Sequence, residues 1–138
     1  MQRNLMLVIL SALVFSFGCS DSAEDRLQGT WQLDKSAMKE NDQYKNAPDI
    51  QKAAMDKMFE MMKMEMTFDD GKMTGSYGSV GQEEKMNATY EVKSEDGDKL
   101  VLESTEEGGK TETVTCWVTD DKLTFEAKGE KFTLIRKD

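Results

Sequence analysis

The stretch KTETVTCWVTDDKLTFEAKGEKFTLIRK, residues 110–137, contains three runs in which apolar and polar residues alternate. The short polar segments TDD and KGE separate these runs and are typical of tight turns. Alternation of this kind is typical of a β-strand with one buried face, and turns this short join antiparallel neighbours. The stretch therefore predicts three consecutive strands of an antiparallel meander.

The same pattern continues towards the N-terminus. Further alternating runs are QGTWQLD, MEMTFD, KMTGSYG, MNATYEVKS and KLVLEST, and the turn segments DDG, EDGD and EEGG lie among the later ones. Alternation assigns one set of side chains to the interior. That set is Gly29, Trp31, Leu33, Met64, Met66, Phe68, Met73, Gly75, Tyr77, Met86, Ala88, Tyr90, Val92, Leu100, Leu102, Val114, Cys116, Val118, Leu123, Phe125, Ala127, Phe132, Leu134 and Arg136. Arg136 is thus the one group of this set that is charged at neutral pH.

Eight strands with one apolar face each predict a mainly β fold, an eight-stranded antiparallel up-and-down barrel, because closure removes exposed strand edges. Such a barrel is filled by side chains or holds one small ligand. An open sheet or a sandwich of the same strands is the alternative. Val101, Trp117 and Ile135 break the alternation, which indicates either a covered patch of outer surface or a bulge or other register in the TVTCWV strand.

One amphipathic helix is predicted between the first and second strands, within residues 46–63, with Asp49 as its N-cap. At helical spacing its apolar side chains occupy one arc, which should pack on the rest of the protein, as a lid at the barrel mouth. The arc contains Ile50, Ala54, Met55, Met58, Phe59, Met61 and Met62. From Met64 onward the methionines alternate, so we expect helix and strand to meet near Lys63.

The N-terminus has the layout of an export signal, with Arg3 followed by a thirteen-residue apolar run at residues 5–17. This run is shorter than the roughly 20 residues of a spanning helix. Gly18 directly before Cys19 resembles the lipobox of bacterial lipoproteins, which implies cleavage before Cys19 and attachment of lipid to its sulfur. The predicted organisation is a signal peptide at 1–18, a lipidated tether at 19–26 and one domain at 27–138.

Composition excludes several functions. The chain has 27 acidic and 18 basic residues and a net charge of −9, which disfavours nucleic-acid partners. It has no histidine and no phosphate-cradling glycine loop, so we expect a protein that is not an enzyme and needs no cofactor. The acidic clusters fall in predicted turns and show no spacing of a metal site, and Cys116 is expected to be a buried, inert thiol.

The segment LQGTWQLD, residues 27–34, resembles the Gly-x-Trp motif that opens lipocalins and fatty-acid-binding proteins. The resemblance implies a lipocalin-like barrel of the calycin superfamily in which Trp31 packs at the closed base beside Gly29, with Arg136 of the last strand across its ring. Fatty-acid-binding proteins hold a carboxylate with an Arg-x-Tyr pair, whereas Arg136 is followed here by Lys137 and Asp138. The resemblance therefore implies the fold more than the ligand.

These observations predict a lipid-anchored binding protein of the bacterial cell envelope, on the periplasmic side of the outer rather than the inner membrane. A small hydrophobic ligand would occupy the barrel, and Met58, Met62, Met64, Met66, Phe68, Met73, Tyr77, Tyr90, Leu102, Phe125 and Phe132 are the candidate lining residues. One alternative is a filled barrel that acts through its surface on a protein partner. Another is a methionine-rich Cu(I) binder. The volume of the interior discriminates between a ligand and a filled barrel.

Overall fold

The computed structural model describes residues 21–127 and 129–137, and in this part of the chain eight antiparallel β-strands form a closed barrel. The strands are β1 (Gly29–Leu33), β2 (Met62–Asp69), β3 (Lys72–Ser79), β4 (Gln82–Asp96), β5 (Lys99–Glu106), β6 (Thr111–Val118), β7 (Lys122–Ala127) and β8 (Glu130–Arg136). Each strand pairs with its neighbours in sequence, and β1 closes the barrel by pairing with β8. The prediction of a closed eight-stranded antiparallel barrel is confirmed. The signal peptide predicted at 1–18 and Cys19 lie outside the described residues.

The inward faces of the strands follow the predicted alternation. Trp31, Leu100, Val118, Leu123 and Leu134 are the large side chains at the centre of the core, each at most 1% exposed. Burial of such apolar surface, at roughly 25 cal/mol per Å², is the main force that holds the barrel together.

The residues that break the alternation lie on the outer surface. Strand β6 pairs with both neighbours without a register shift, which excludes the alternative of a bulge in TVTCWV and leaves that of a covered outer surface. Trp117 faces outward, and the Lys131 ammonium covers its ring at 5.2 Å from the centroid. The one register shift described between β4 and β5 lies instead at Val92 and Ser94.

A short helix covers one end of the barrel. Helix α1 (Ala23–Leu27) buries Ala23 and Leu27, and the Arg26 guanidinium donates a hydrogen bond to Asp98 at 2.6 Å. Four of the five residues of α1, residues 23–26, lie within the segment 19–26 that was predicted as a tether. The folded domain therefore extends further towards the N-terminus than the predicted boundary at Leu27. We call this end of the barrel the base.

The connection between β1 and β2 contains three helices in the described structure, where the sequence predicted one. They are α2 (Lys35–Lys39), α3 (Asp42–Lys45) and α4 (Asp49–Met61), and we call them the cap helices. The two short helices arise from local capping, because Asp34 and Asn41 accept hydrogen bonds from the free amides of the turns that follow them. Asp49 is the first residue of α4 and not its N-cap, a position that Pro48 occupies in an extended conformation.

Helix α4 buries less of its apolar arc than the sequence predicted. Phe59 is buried, but Ile50, Met58 and Met61 are 87%, 52% and 54% exposed. The expectation that the whole arc packs on the barrel was therefore wrong, because a cavity lies between the cap helices and the rim of the barrel. Strand β2 begins at Met62, directly after α4, so the predicted junction near Lys63 is displaced by one residue.

Candidate ligand-binding cavity

The barrel interior contains a cavity of about 250 Å³, which we call the inner cavity. Its wall is apolar over most of its area because the inward positions of β2 to β7 carry aliphatic, aromatic and thioether side chains. These are Met64, Met66, Phe68, Met73, Tyr77, Met86, Tyr90, Leu102, Val114, Cys116, Leu123 and Phe125. Methionine suits such a wall because its unbranched, polarisable side chain adapts to irregular space. The barrel is therefore not completely filled by its own side chains.

A second cavity of about 640 Å³, the outer cavity, lies between the rim of the barrel and the cap helices. The cap helices contribute Ala37, Met38, Tyr44, Met55, Met58 and Phe59, and the rim contributes Leu33, Met62, Met64, Tyr77 and Phe132 among others. Met64 and Tyr77 line both cavities, so the two spaces adjoin. The inner cavity is thus reached from the end of the barrel opposite the base, which we call the mouth.

The structure places all eleven predicted lining residues around these two spaces. Eight line the inner cavity, and Met58, Met62 and Phe132 line the outer cavity. Within the inner cavity, the rings of Phe68 and Tyr90 meet edge to face at a centroid distance of 5.5 Å. The helical and strand-like methionine spacings therefore converge on one connected interior.

The cap helices are held to one another by polar contacts. The Asp56 carboxylate of α4 lies 2.8 Å from the Lys39 ammonium of α2 and accepts a hydrogen bond from the Tyr44 hydroxyl of α3 at 2.9 Å. The hydrogen bonds from Lys39 and then Tyr44 lower the pKa of Asp56. Tyr44 also packs on Phe59 at a ring-centroid distance of 5.9 Å. One carboxylate thus joins all three helices above the mouth.

Gly29, Trp31 and Arg136 close the base and line neither cavity. The Arg136 guanidinium carbon lies 4.2 Å from the Trp31 ring centroid, as expected for a cation stacked on the ring. Its nitrogens donate to the carbonyls of Arg26, Gln28 and Asp120 at 2.6, 2.8 and 2.9 Å. A Cβ atom at Gly29, whose φ is +113°, would lie 2.9 Å from Arg136 Nη1, so a side chain would disturb this stack. The three residues therefore serve structure rather than ligand contact.

Polar residues on the inner wall were missed by the sequence analysis. Ser104, Glu106 and Glu112 line the inner cavity, so the expectation that Arg136 is the one charged group on the inner face was wrong. Their position on the inner face could have been inferred from the sequence, because Ser104 and Glu106 continue the alternation of Leu100 and Leu102. Glu112 likewise precedes Val114 by two residues and lies opposite Ser104. The strands simply extend beyond their apolar portion, towards the mouth.

Cys116 is buried in the wall of the inner cavity, at 1% exposure. Burial raises the pKa of its thiol to about 12, because the thiolate would lose its hydration. The sulfur is therefore protonated at neutral pH, as expected of an inert core cysteine.

We expect the Cys116 thiol of the folded Cys19→Ser variant to react with a soluble aromatic disulfide at pH 8 at least about a hundredfold more slowly than in urea. Between the ordinary thiol pKa of about 8.5 and the raised value, unfolding releases a proton, so the free energy of unfolding should fall as the pH rises. Spectrophotometric thiol titration and urea melts at several pH values measure both effects. Equal reaction rates in the folded and unfolded states would contradict the burial of this sulfur.

In residues 21–127 and 129–137, no three side chains of the types His, Cys, Asp and Glu are grouped so that they could hold a metal ion. Within the same ranges, no helix combines the length and the apolarity that crossing a membrane requires.

Comparisons with models of known protein families, with curated proteins and with solved structures found no match to this chain.

Proposed function

We propose that this protein binds a small hydrophobic molecule inside its barrel. The observation that carries the proposal is the apolar inner cavity of about 250 Å³ with an approach from the mouth. Ligand pockets are typically concave, mostly apolar spaces of roughly 300–1,000 Å³ with a few polar groups, a range that the inner and outer cavities reach together. The methionine-rich wall would adjust to ligands of different outline.

The alternative of a filled barrel that acts only through its surface receives less support. A filled barrel of eight strands has no interior space beyond that of packed side chains. Here the largest buried side chains, Trp31 and Leu27, lie towards the base, whereas the half of the barrel near the mouth is open. An enzyme is not proposed, because Ser104 and Cys116 line the same cavity as Glu106 and Glu112, but neither forms a hydrogen bond with a carboxylate of the described residues.

The proposal includes the cellular setting that the sequence indicates. The lipobox resemblance at Cys19 supports a lipoprotein of the bacterial envelope, held by lipid on the periplasmic side of the outer membrane. The stack of Arg136 on Trp31, beside Gly29, supports a lipocalin-like assignment of the barrel. Radiolabelled palmitate incorporation that is lost in Cys19→Ala tests the anchor separately from ligand binding.

The Val114→Phe variant is expected to weaken binding of the neutral dye N-phenylnaphthylamine by at least about tenfold, because the added ring would occupy the inner cavity. Val114 lines that cavity, whereas Thr113 on the same strand is exposed on the outer surface. Thr113→Phe adds a comparable ring outside and should bind the dye like the wild type. Dye fluorescence titration measures the affinities, and circular dichroism verifies that both variants are folded.

The proposal fails if the dye does not bind the wild-type protein, or if it binds Val114→Phe and the wild type equally well. In that case the surface of the barrel, rather than its interior, would be the functional part.

A further inference from the structure

We infer that the inner cavity selects amphiphiles with a cationic head group, such as a long-chain amine, over amphiphiles with a carboxylate. This inference rests on the proposed function, since it names the class of molecule that the same cavity would hold. Three observations carry it: an unpartnered hydroxyl on the cavity wall, carboxylates above it, and outward-directed cations.

The first observation is the Ser104 side chain. Ser104 is 8% exposed and lines the inner cavity, and its hydroxyl forms no hydrogen bond with another of the described residues. Among the described residues no fully buried side-chain nitrogen or oxygen lacks a hydrogen-bond partner, so the Ser104 oxygen keeps some accessible surface within the cavity that the residue lines. Ser104 pairs with Tyr90 on one side and with Glu112 on the other, both of which also line the cavity. Its hydroxyl is therefore available to the polar part of a bound molecule.

The second observation is a set of carboxylates towards the mouth, the acidic rim, formed by Glu84, Glu106 and Glu112. Glu106 and Glu112 line the inner cavity, and Glu84 accepts a hydrogen bond from the Tyr77 hydroxyl at 2.7 Å. The hydrogen bond to Glu84, and to a smaller extent the charge of Glu106, raise the pKa of Tyr77. Glu84 and Glu106 thus both act on the Tyr77 hydroxyl.

The charges of the acidic rim are only partly compensated. Lys110 lies 3.0 Å from Glu112 on the outer side of the rim. Glu106 forms no ion pair within residues 21–127 and 129–137. Glu106 is therefore the residue whose charge a ligand cation would neutralise. Ser104 is the next inward residue of β5, further from the mouth.

The third observation is that the described cations near the interior point away from it. Among residues 21–127 and 129–137, those that line the inner cavity include neither Lys nor Arg. Lys63 and Lys131 border the outer cavity, but the Lys63 ammonium lies 3.4 Å from Glu83 and that of Lys131 covers Trp117 on the outer surface. The Arg136 guanidinium stacks on the Trp31 ring at the base. A carboxylate in the inner cavity would therefore meet Glu106 with no lysine or arginine among the described lining residues to compensate its charge, which electrostatics disfavours.

The inference is tested with decylamine, decanol and decanoate, which share an alkyl chain and differ in charge. Each is used below its micellar concentration to displace N-phenylnaphthylamine from the full chain at neutral pH. We expect decylamine to displace the dye at about tenfold lower concentration than decanoate, with decanol between them. This preference should shrink in 1 M salt, where the Debye length is about 3 Å.

Glu106→Gln should reduce the preference for decylamine to about threefold or less, and Glu106→Lys should reverse it in favour of decanoate. Glu103→Gln is the matched control, because Glu103 lies on the same strand but faces Lys93 on the outer surface. That variant should keep the wild-type preference. Dye binding by each variant shows that the barrel is intact.

Two results overturn the inference, and they are distinguishable. If the dye binds but decanoate displaces it as well as decylamine does, or if Glu103→Gln and Glu106→Gln act alike, the cation preference is wrong and the proposed function stands. If the dye does not bind the wild-type protein, so that there is no displacement to measure, the proposed function itself is wrong.

Discussion

Replacement of Trp31 by alanine is expected to lower the free energy of unfolding by about 3–5 kcal/mol. Trp31 is fully buried, and its indole nitrogen donates a hydrogen bond to the Leu27 carbonyl at 2.9 Å. The substitution would leave a void at the base, remove the ring on which Arg136 stacks and deprive Leu27 of a donor. Urea denaturation followed by circular dichroism measures the change.

Trp117 provides the matched control for this prediction. It is the other tryptophan of the chain, lies on the outer surface and is covered by Lys131 at 5.2 Å. Trp117→Ala should cost about 1 kcal/mol or less, because little cavity forms and the cation–π contact is solvent-exposed. Equal costs for the two tryptophans would show that the base is not the centre of stability.

Arg136→Met is expected to lower the free energy of unfolding by about 2–4 kcal/mol. The methionine keeps much of the apolar length of the side chain but loses three hydrogen bonds to the carbonyls of Arg26, Gln28 and Asp120. Those carbonyls connect the first helix, the start of β1 and the turn before β7 to the last strand. The guanidinium therefore joins the two ends of the domain, and its loss should act on the whole barrel.

Lys137→Met is the matched control, since Lys137 forms a single ion pair with Glu65, at 2.6 Å, between half-exposed side chains. It should lower the free energy of unfolding by about 0.5 kcal/mol or less.

The double variant of Trp31→Ala and Arg136→Met should lower the free energy of unfolding by less than the sum of the single changes, by at least about 0.5 kcal/mol. Strict additivity would contradict the stack as an energetic unit.

The barrel could be predicted from the sequence because its strands carry a local signal. In β2 and β3, Met64, Met66 and Met73 occupy inward positions that alternation alone identifies. The turns between strands are short, so the pairing of neighbours follows from chain length. The position of Arg136 opposite Trp31 follows from the same alternation and from closure of the barrel.

The cap helices and the polar wall could not be predicted equally well, for physical reasons. An amphipathic pattern shows which face of α4 is apolar but not whether a surface lies beneath it, and Ile50 and Met58 remain exposed above the outer cavity. The inward carboxylate of Glu106 was missed because the apolar portion of β5 ends before the strand does. Polar residues at a cavity rim are hydrated or meet a ligand, so they need not follow the pattern of a packed core.

The position of α1 at the base has a consequence for how the molecule is oriented in space. The chain enters the folded domain at Ser22, beside the turns of the base and at the end opposite the mouth. Cys19 precedes Ser22 by three residues, a length that spans about 10 Å at most. If lipid is attached to Cys19, the base of the barrel faces the bilayer, and the mouth opens into the aqueous compartment. A ligand of the proposed kind would then enter and leave from that compartment or from a facing carrier, and not directly from the leaflet that holds the lipid anchor.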